Sequence, residues 1–363
     1  MRTRDGFTKR YGRMRNNARS YLDLPREEKF KRAREFVLDR AMYIIIIFAI
    51  TLIAFMRPRF LSAASLINIL SLTAAKLPIA LGIGGAIVLS GTDISAGRAV
   101  GLTACITASL LQSTGYSGKM FSSLPTLPIP IVILAVTVAG GIIGCINGFF
   151  VAKFKLHPFI VTLSTQLIIF GAILLFLQLG GNGGQTLSGL SSEYTSFISG
   201  PLFFVSGIPV PKYVLYSVII TALMWVVWNK TAFGKNMFAV GSNPDAANVS
   251  GVNVKRIITL VFMLAGILYG VTGFIEAARI GSNSAATGLN YELDAIAASV
   301  IGGVSFVGGI GKIRGVILGV VLLRLIFVGL TFLSIDANMQ YIIKGLIILV
   351  ACAIDMRKYL VRK

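Results

Sequence analysis

The sequence predicts a polytopic, all-α membrane fold, and three observations predict it. Only 13% of the 363 residues are charged, against about 25% in an average soluble domain. The apolar residues come in long blocks, such as MYIIIIFAITLIAFM at 42–56, which a water-facing helix could not hide. The basic residues behind the net charge of +20 gather before the first block and in the short gaps between later ones, the positive-inside pattern. In a soluble chain that charge would raise nucleic acid as a partner; here it reads as topology, and no nucleic acid is expected.

The first element is a basic arm, residues 1–40, with 13 of the 34 basic residues and six acids. Its polar length and the absence of a small-residue cleavage site argue against a signal peptide. Phe30, Ala33 and Val37 recur at helical spacing, which suits either a basic amphipathic helix on the lipid surface or a solvated tail.

Ten apolar runs follow, near 41–56, 66–90, 99–114, 127–150, 159–179, 212–228, 257–278, 292–307, 315–333 and 338–354. Several are shorter than the roughly 20 residues of an ordinary span. With the N-terminus inside and the spans alternating, 26 basic residues fall inside and 4 outside. The inside set comprises the arm, Arg98, Lys153, Lys155, Lys230, Lys235, Lys255, Arg256, Lys312, Arg314 and the tail; the outside set is Arg57, Arg59, Lys119 and Arg279. Both termini are therefore expected to be cytoplasmic. The membrane domain covers 41–356, with a main external loop at 180–211, an inside loop at 229–256 and a basic tail at 357–363.

Small residues recur every four positions at Gly140, Gly144 and Gly148, at Gly266 and Gly270, and at Gly311, Gly315 and Gly319. Such ladders let helix backbones approach closely in lipid. Two stretches share a texture, LPIALGIGGAIVLSGTDISAGRAVGL and IAASVIGGVSFVGGIGKIRGVILG. Each places a polar, Gly-rich break between apolar runs, which hints at a parallel internal duplication with broken or re-entrant helices where transporters tend to put their pathway.

In the first of these stretches Asp93 has no catalytic partner nearby. Its expected role is in a polar hinge: Gly91 and Gly97 permit the turn, Thr92 lies beside it, Asp93 or Ser95 caps the next helix, and Arg98 marks the cytoplasmic side. The acids near the membrane are Asp93, Glu276, Glu292, Asp294, Asp336 and Asp355, each near the end of an apolar run. None stands clearly at the depth expected of a proton-coupled carrier. No cluster suits a membrane enzyme, so no catalytic residue is assigned. Cys105, Cys145 and Cys352 fall in apolar runs and His157 is the only histidine, so neither a metal site nor a disulfide framework is expected. GGIGK at 308–312 is followed by Ile313 rather than Ser or Thr, so it is not read as a phosphate loop. No cofactor is implied.

The inside loop carries the clearest soluble signals. Ser242 or Asn243 suits an N-cap, Pro244 the first helical position, Asp245 the helix dipole, and Gly251 the stop. They specify a helix of about two turns, too short to stand alone. Something docking on it would explain its presence; a well-capped connector is the alternative.

LSGTDISAG at 89–97, INGFFVAKFKLHPFIVTLST at 146–165, FGKNMFAVGSNPDAANVSGVNVKR at 233–256, YELDAIAASVIGGVSFVGGIG at 291–311 and YIIKGLIILVACAID at 341–355 resemble the permease subunits of bacterial ABC importers for monosaccharides, the ribose, xylose and galactose type. GTDISAGRAVGL, SLLQS, VVWNKTAFGKN and ARIGS are most similar to the galactose/methyl-galactoside branch. The long arm and the charged GKIRG at 311–315 depart from the family pattern. The resemblance implies an inner-membrane transport subunit, with no enzymatic activity of its own, that works with a separate ATPase, a periplasmic or surface-anchored sugar-binding protein, a second permease copy as a homodimer, and membrane lipid.

Under the resemblance, Asn243, Pro244, Asp245, Ala246, Ala247, Ser250 and Gly251 form the helix that rides in the ATPase cleft. Asn147, Thr165 and Gln166 are pathway candidates because they are polar in or beside spans; helix–helix hydrogen bonding is the competing role. Other cargoes such as ribose, xylose, a nucleoside or a flavin, and an ion-coupled sugar carrier, are the alternatives.

Overall fold

The computed structural model describes residues 44 and 46–360, with side chains to 356. The arm at 1–40, its proposed amphipathic helix and the side chains of the 357–363 tail lie outside the described residues. From Ala49 onward the chain forms one compact unit.

Its elements are α1 (Ile46–Met56), α2 (Ala63–Val88), α3 (Ala96–Leu110), α4 (Ile129–Phe154), α5 (Pro158–Gln178), α6 (Ser192–Ser199), β1 (Pro201–Val205), β2 (Ile208–Pro211), α7 (Tyr213–Lys230), α8 (Ala232–Ser242), α9 (Pro244–Val249), α10 (Val254–Ile280), α11 (Tyr291–Ile301), α12 (Ile313–Phe332) and α13 (Ala337–Leu360). Each of the ten apolar runs holds one of these helices. Among the described residues, seven helices are long and apolar enough to cross a membrane: α2, α4, α5, α7, α10, α12 and α13. With 15 and 11 residues, α3 and α11 reach only about 22 and 16 Å, short of a hydrocarbon core of about 30 Å. They are half-helices, each joined to a neighbour across a coil break, at 89–95 and 302–312. The two stretches of shared texture thus fold alike as helix, break and helix, with the long arm first in one and last in the other.

The centre of the unit is α2 packed against α10. In the most apolar window of each, 78% of α2 and 61% of α10 is buried, against 6% of α13, so α13 lies at the periphery. The glycine ladders explain how α4 joins this centre. A Cβ at Gly144 would stand 2.0 Å from Phe262 O, and one at Gly266 would stand 2.1 Å from Gly140 O. Any side chain there would drive α4 and α10 apart.

Hydrogen bonds sort the loops into two ends. At one end Gly309 N bonds Val88 O, and Ser90 Oγ bonds Val307 O at 2.8 Å; the 231–253 segment closes on the same junction, since a Cβ at Gly241 would meet Val88 O at 1.9 Å. At the other end Leu187 pairs with Asn283 and Ser113 N bonds Gly189 O. The basic residues at 153, 155, 230, 235, 255, 256, 312 and 314 are exposed and belong to loops or helix termini of the first end.

The all-α expectation needs one amendment: the 180–211 loop folds as α6 followed by an antiparallel hairpin, β1 with β2. Tyr194 of α6 donates its hydroxyl to Phe274 O of α10 and is fully buried. That burial holds its phenol well above the ordinary range, so the anchor stays an uncharged hydrogen bond.

Candidate functional site

The hinge is built from the break at 89–95. Helix α2 ends where Ser90 enters the left-handed region, φ 58°, and Gly91 N bonds back to Ala86 O. Neither Gly91 nor Gly97 has a positive φ, so the turn rests on Ser90. Gly97 serves close approach instead: a Cβ there would stand 1.9 Å from Glu292 Oε2 and 2.5 Å from Gly288 O.

Asp93 is fully buried. Its Oδ1 accepts from Ser95 N at 3.0 Å and Ser95 Oγ at 2.6 Å, an Asx-type turn that shapes the break. No side chain caps α3, although Ser95 occupies its N-cap position. The capping role expected of Asp93 or Ser95 is thus replaced by a bond inside the loop, which leaves Ser95 Oγ free to accept from Asn147 Nδ2 at 2.9 Å. Asn147 Oδ1 accepts from Thr165 Oγ1 at 2.6 Å, while Thr162 Oγ1 accepts from Ile94 N and donates to Thr92 O. A continuous chain, Asp93–Ser95–Asn147–Thr165, therefore ties the break to α4 and α5. Asn147 and Thr165 are engaged in helix–helix bonding; Gln166 Oε1 is buried without a hydrogen bond.

The hinge lies deeper than the sequence suggested. Asp93 faces Tyr269, which is about 22 Å along an α10 helix of about 40 Å. The break carries the chain from the first end back into the interior before α3 begins. Arg98 follows it inward, bonding Ala285 O at 2.8 Å and stacking on Phe170. It does not mark the cytoplasmic side, because its guanidinium is held by the 281–290 segment from the opposite end.

A second buried group joins five helices. Lys76, midway along α2, lies 3.3 Å from Glu276 Oε1 and over the Tyr291 ring. Glu276 Oε2 takes Arg279 at 2.6 Å and the Tyr291 hydroxyl at 3.1 Å. Nearby, Asp294 holds Arg324 and Lys344, each at 2.6 Å. Glu276, fully buried, and Asp294, 8% exposed, are enclosed by protein although each lies near a helix end. Each carboxylate is matched by two cations, so the charge is compensated locally and neither stands as a lone titrating group.

Lys76, Tyr291, Asp294 and Arg324 line a cavity of about 10 Å³ with Ile79, Ala80, Ala298 and Leu323, room for a single water. Lys76 Nζ, Asp294 Oδ1 and Arg324 Nε on its lining residues, and Glu276 Oε1 outside the lining, are buried without a hydrogen bond of good geometry. Sequence reading sorted Arg279 into an outside loop and left Lys76, Arg324 and Lys344, together with Lys212, in or at the edges of spans. The signal available was that Lys76, Arg324 and Lys344 interrupt apolar runs, which lipid tolerates only for a paired or functional group. Among the described residues no group of three His, Cys, Asp or Glu side chains could hold a metal.

The third feature is α9. Asn243 caps it, accepting from Ala246 N at 3.0 Å; Pro244 opens it and Asp245 lies in its first turn. It ends at Ser250 with Gly251 at φ 84°, where Gly251 N bonds Asn248 O and Val252 N bonds Ala247 O, the Schellman stop. Asn243, Pro244, Asp245, Ala246, Ser250 and Gly251 are exposed. Ala247 is not: at 4% exposure it seats the helix on the body, whereas Val249 is 89% exposed. One residue upstream of the cap, Ser242, the last residue of α8, lies against Gly309, and Gly241 beside it packs on Val88 O, so the end of α8 that leads into α9 meets both helix breaks.

Comparison with known proteins gives a consistent picture. The family profile described as branched-chain amino acid transport system / permease component matches residues 59–352. The galactose/methyl galactoside import permease of Haemophilus influenzae is 43% identical over 329 residues, covering 91% of this chain and 97% of that protein. Its Escherichia coli counterpart is 44% identical over 329 residues, 90% and 97% of the two chains. The ribose import permease of H. influenzae is 33% identical over 320 residues, 88% and 94%. No solved structure matches the chain.

Proposed function

The chain belongs to the branched-chain amino acid transport system / permease component family, and from that premise we propose that it is the membrane subunit of an ABC importer moving galactose, methyl galactoside or a closely similar hexose. The cargo reading is supported by the galactose permeases that align over nine-tenths of the chain, ahead of the ribose permease. ATP hydrolysis falls to a separate ATPase subunit, and a binding protein delivers the sugar on the far side. A second copy of this chain completes the pore, and lipid surrounds it.

The observation that carries the mechanism is the junction of the α8 end, which leads into α9, with the two breaks. Its capped, exposed turns are a preformed docking element, and its end is ringed by exposed lysines and arginines that set it on the cytoplasmic side. Movement of an ATPase on α9 would be felt at Ser242, hence at Gly309, Val88 and Ser90, where α2 and the 302–312 break meet. Both breaks lead into half-helices, α3 toward the Asp93 network and α11 toward the cluster of Lys76, Glu276 and Asp294. The cavity beside that cluster has room for a single water, too narrow for a sugar, and in this reading the cluster acts as the seal of the sugar path. Opening it exposes ammonium, guanidinium and carboxylate groups suited to hydrogen-bonding sugar hydroxyls.

Competition in vesicles carrying the complete importer tests the cargo. Unlabelled galactose or methyl galactoside should abolish uptake of labelled galactose, ribose should compete weakly, and leucine should not compete. Leucine blocking uptake, or galactose failing to enter, would overturn the sugar reading in favour of another cargo.

A further inference from the structure

The hairpin between α6 and α7 has a surface that the transport mechanism leaves unused. All five residues of β1 are exposed, with Leu202 at 39%, Phe203 at 51%, Phe204 at 63% and Val205 at 42%. Successive side chains of a strand point to opposite faces, so a strand beside water alternates apolar with polar residues. Here both faces are apolar. The sheet has two strands, leaving β1 as an edge, and an exposed apolar edge in water invites aggregation. The hairpin is nevertheless held firmly. Val210 of β2 is 1% exposed in a core with Tyr213 and Val214, and the Ser206–Gly207 turn has φ of 51° and 77°, the type I′ geometry that suits a tight hairpin.

Three observations identify what covers it. First, β2 passes through Lys212 straight into α7, a helix long enough to cross the membrane whose Leu215, Val218, Ile219 and Leu223 are exposed. The hairpin is thus joined through a single residue to the end of a span whose outward face is apolar. Second, Tyr216 stacks on Phe197 with ring centroids 5.5 Å apart, next to Lys212, an aromatic and cationic grouping of the kind found at membrane interfaces. Third, residues 200–211 contain no charged side chain. They offer nothing to complement a charged protein surface, whereas an uncharged apolar wedge with a cation at its foot suits the boundary between headgroups and acyl chains.

The geometry points to β1 as an interfacial lipid anchor, with Phe203 and Phe204 entering the leaflet at the outer end of α7. The inference needs α7 to cross the membrane and is independent of the cargo. An anchor there would fix the level of the α6–hairpin unit against the bilayer while Tyr194 ties that unit to α10.

The test uses the full chain in phospholipid nanodiscs, with Cys145→Ala and Cys352→Ala to remove the partly exposed thiols. A spin label is placed at Phe204→Cys, or at the references Leu223→Cys on the outward face of α7 and Val249→Cys on α9. Relaxation by oxygen relative to a water-soluble nickel chelate should group Phe204 with Leu223, several-fold above Val249. Adding Phe203→Ser should lower the ratio at 204 while leaving the Leu223 reference unchanged. A ratio at the Val249 level would overturn the anchor, as would a label shielded from both reagents, which would show a protein covering the strand. An unchanged ratio in the Phe203→Ser chain would also overturn it.

Discussion

Replacing Glu276 by glutamine probes the buried cluster directly. The carboxylate is fully buried and bonds Lys76, Arg279 and Tyr291 at 3.3, 2.6 and 3.1 Å. Glutamine keeps the shape and removes the charge. Arg279 is 24% exposed at its side chain and can turn toward solvent, but Lys76, at 8%, would be left as a buried cation with no nearer counter-charge. Removing one partner of a buried pair costs about 3–5 kcal/mol, which corresponds to a melting temperature lowered by about 6 °C or more. Lys76→Met alone should also destabilise, because it strips the carboxylate of one cation. The double variant Lys76→Met/Glu276→Gln should recover much of the loss, with a coupling energy of about 2 kcal/mol or more. Thermal melts of the four purified chains in one detergent measure this. A wild-type melt for Glu276→Gln, or strictly additive effects in the double variant, would refute the assignment of the pair as a buried, mutually dependent unit.

Further expectations follow from the hinge and from α9. Gly97→Ala should give little folded protein by size exclusion, since its Cβ meets Gly288 O as well as the Glu292 carboxylate; Glu292→Ala should not rescue it, because the backbone carbonyl remains. Asn147→Leu removes the link between Ser95 and Thr165 and should cost about 1–3 kcal/mol by thermal melt. Asn243→Ala removes the cap of α9, worth about 1 kcal/mol, and should raise the ATPase concentration needed for half-maximal uptake, whereas Asn243→Asp should behave as wild type. Val249→Asp, on the exposed face, should leave membrane insertion and melting unchanged while lowering ATP-driven uptake; normal uptake would remove α9 as the docking element.

The local signals of α9 were legible in the sequence because a cap, a first-position proline and a stop glycine act within a few residues, and the structure reproduces them at Asn243, Pro244 and Gly251. The glycine ladders of α4 and α10 were legible for a similar reason, since their period alone demands a close neighbour, whereas Gly311 of the third lies in the break before α12. Depth was not. Asp93 follows an apolar run and reads as the end of a span, yet the extended break carries it back to the level of Tyr269, a long-range outcome that no local periodicity encodes. The same limit hid the cluster: Lys76, Glu276, Asp294, Arg324 and Lys344 are spread over 269 positions, Lys76 to Lys344, and meet only when five helices pack. Ala247 illustrates the converse, for its place in a motif said nothing about which side of a six-residue helix faces inward. The hairpin escaped notice because Pro201, Pro209 and Pro211 read as loop, whereas edge strands tolerate proline.

Uptake driven by ATP inside sealed vesicles, measured with and without a protonophore, bears most directly on the role of the chain as an ABC permease. With the ATPase and binding protein present, galactose entry should require internal ATP, persist when the proton gradient is collapsed, and fall with Val249→Asp. Uptake by this chain alone without ATP, abolished by the protonophore and indifferent to Val249→Asp, would contradict it and identify a secondary carrier.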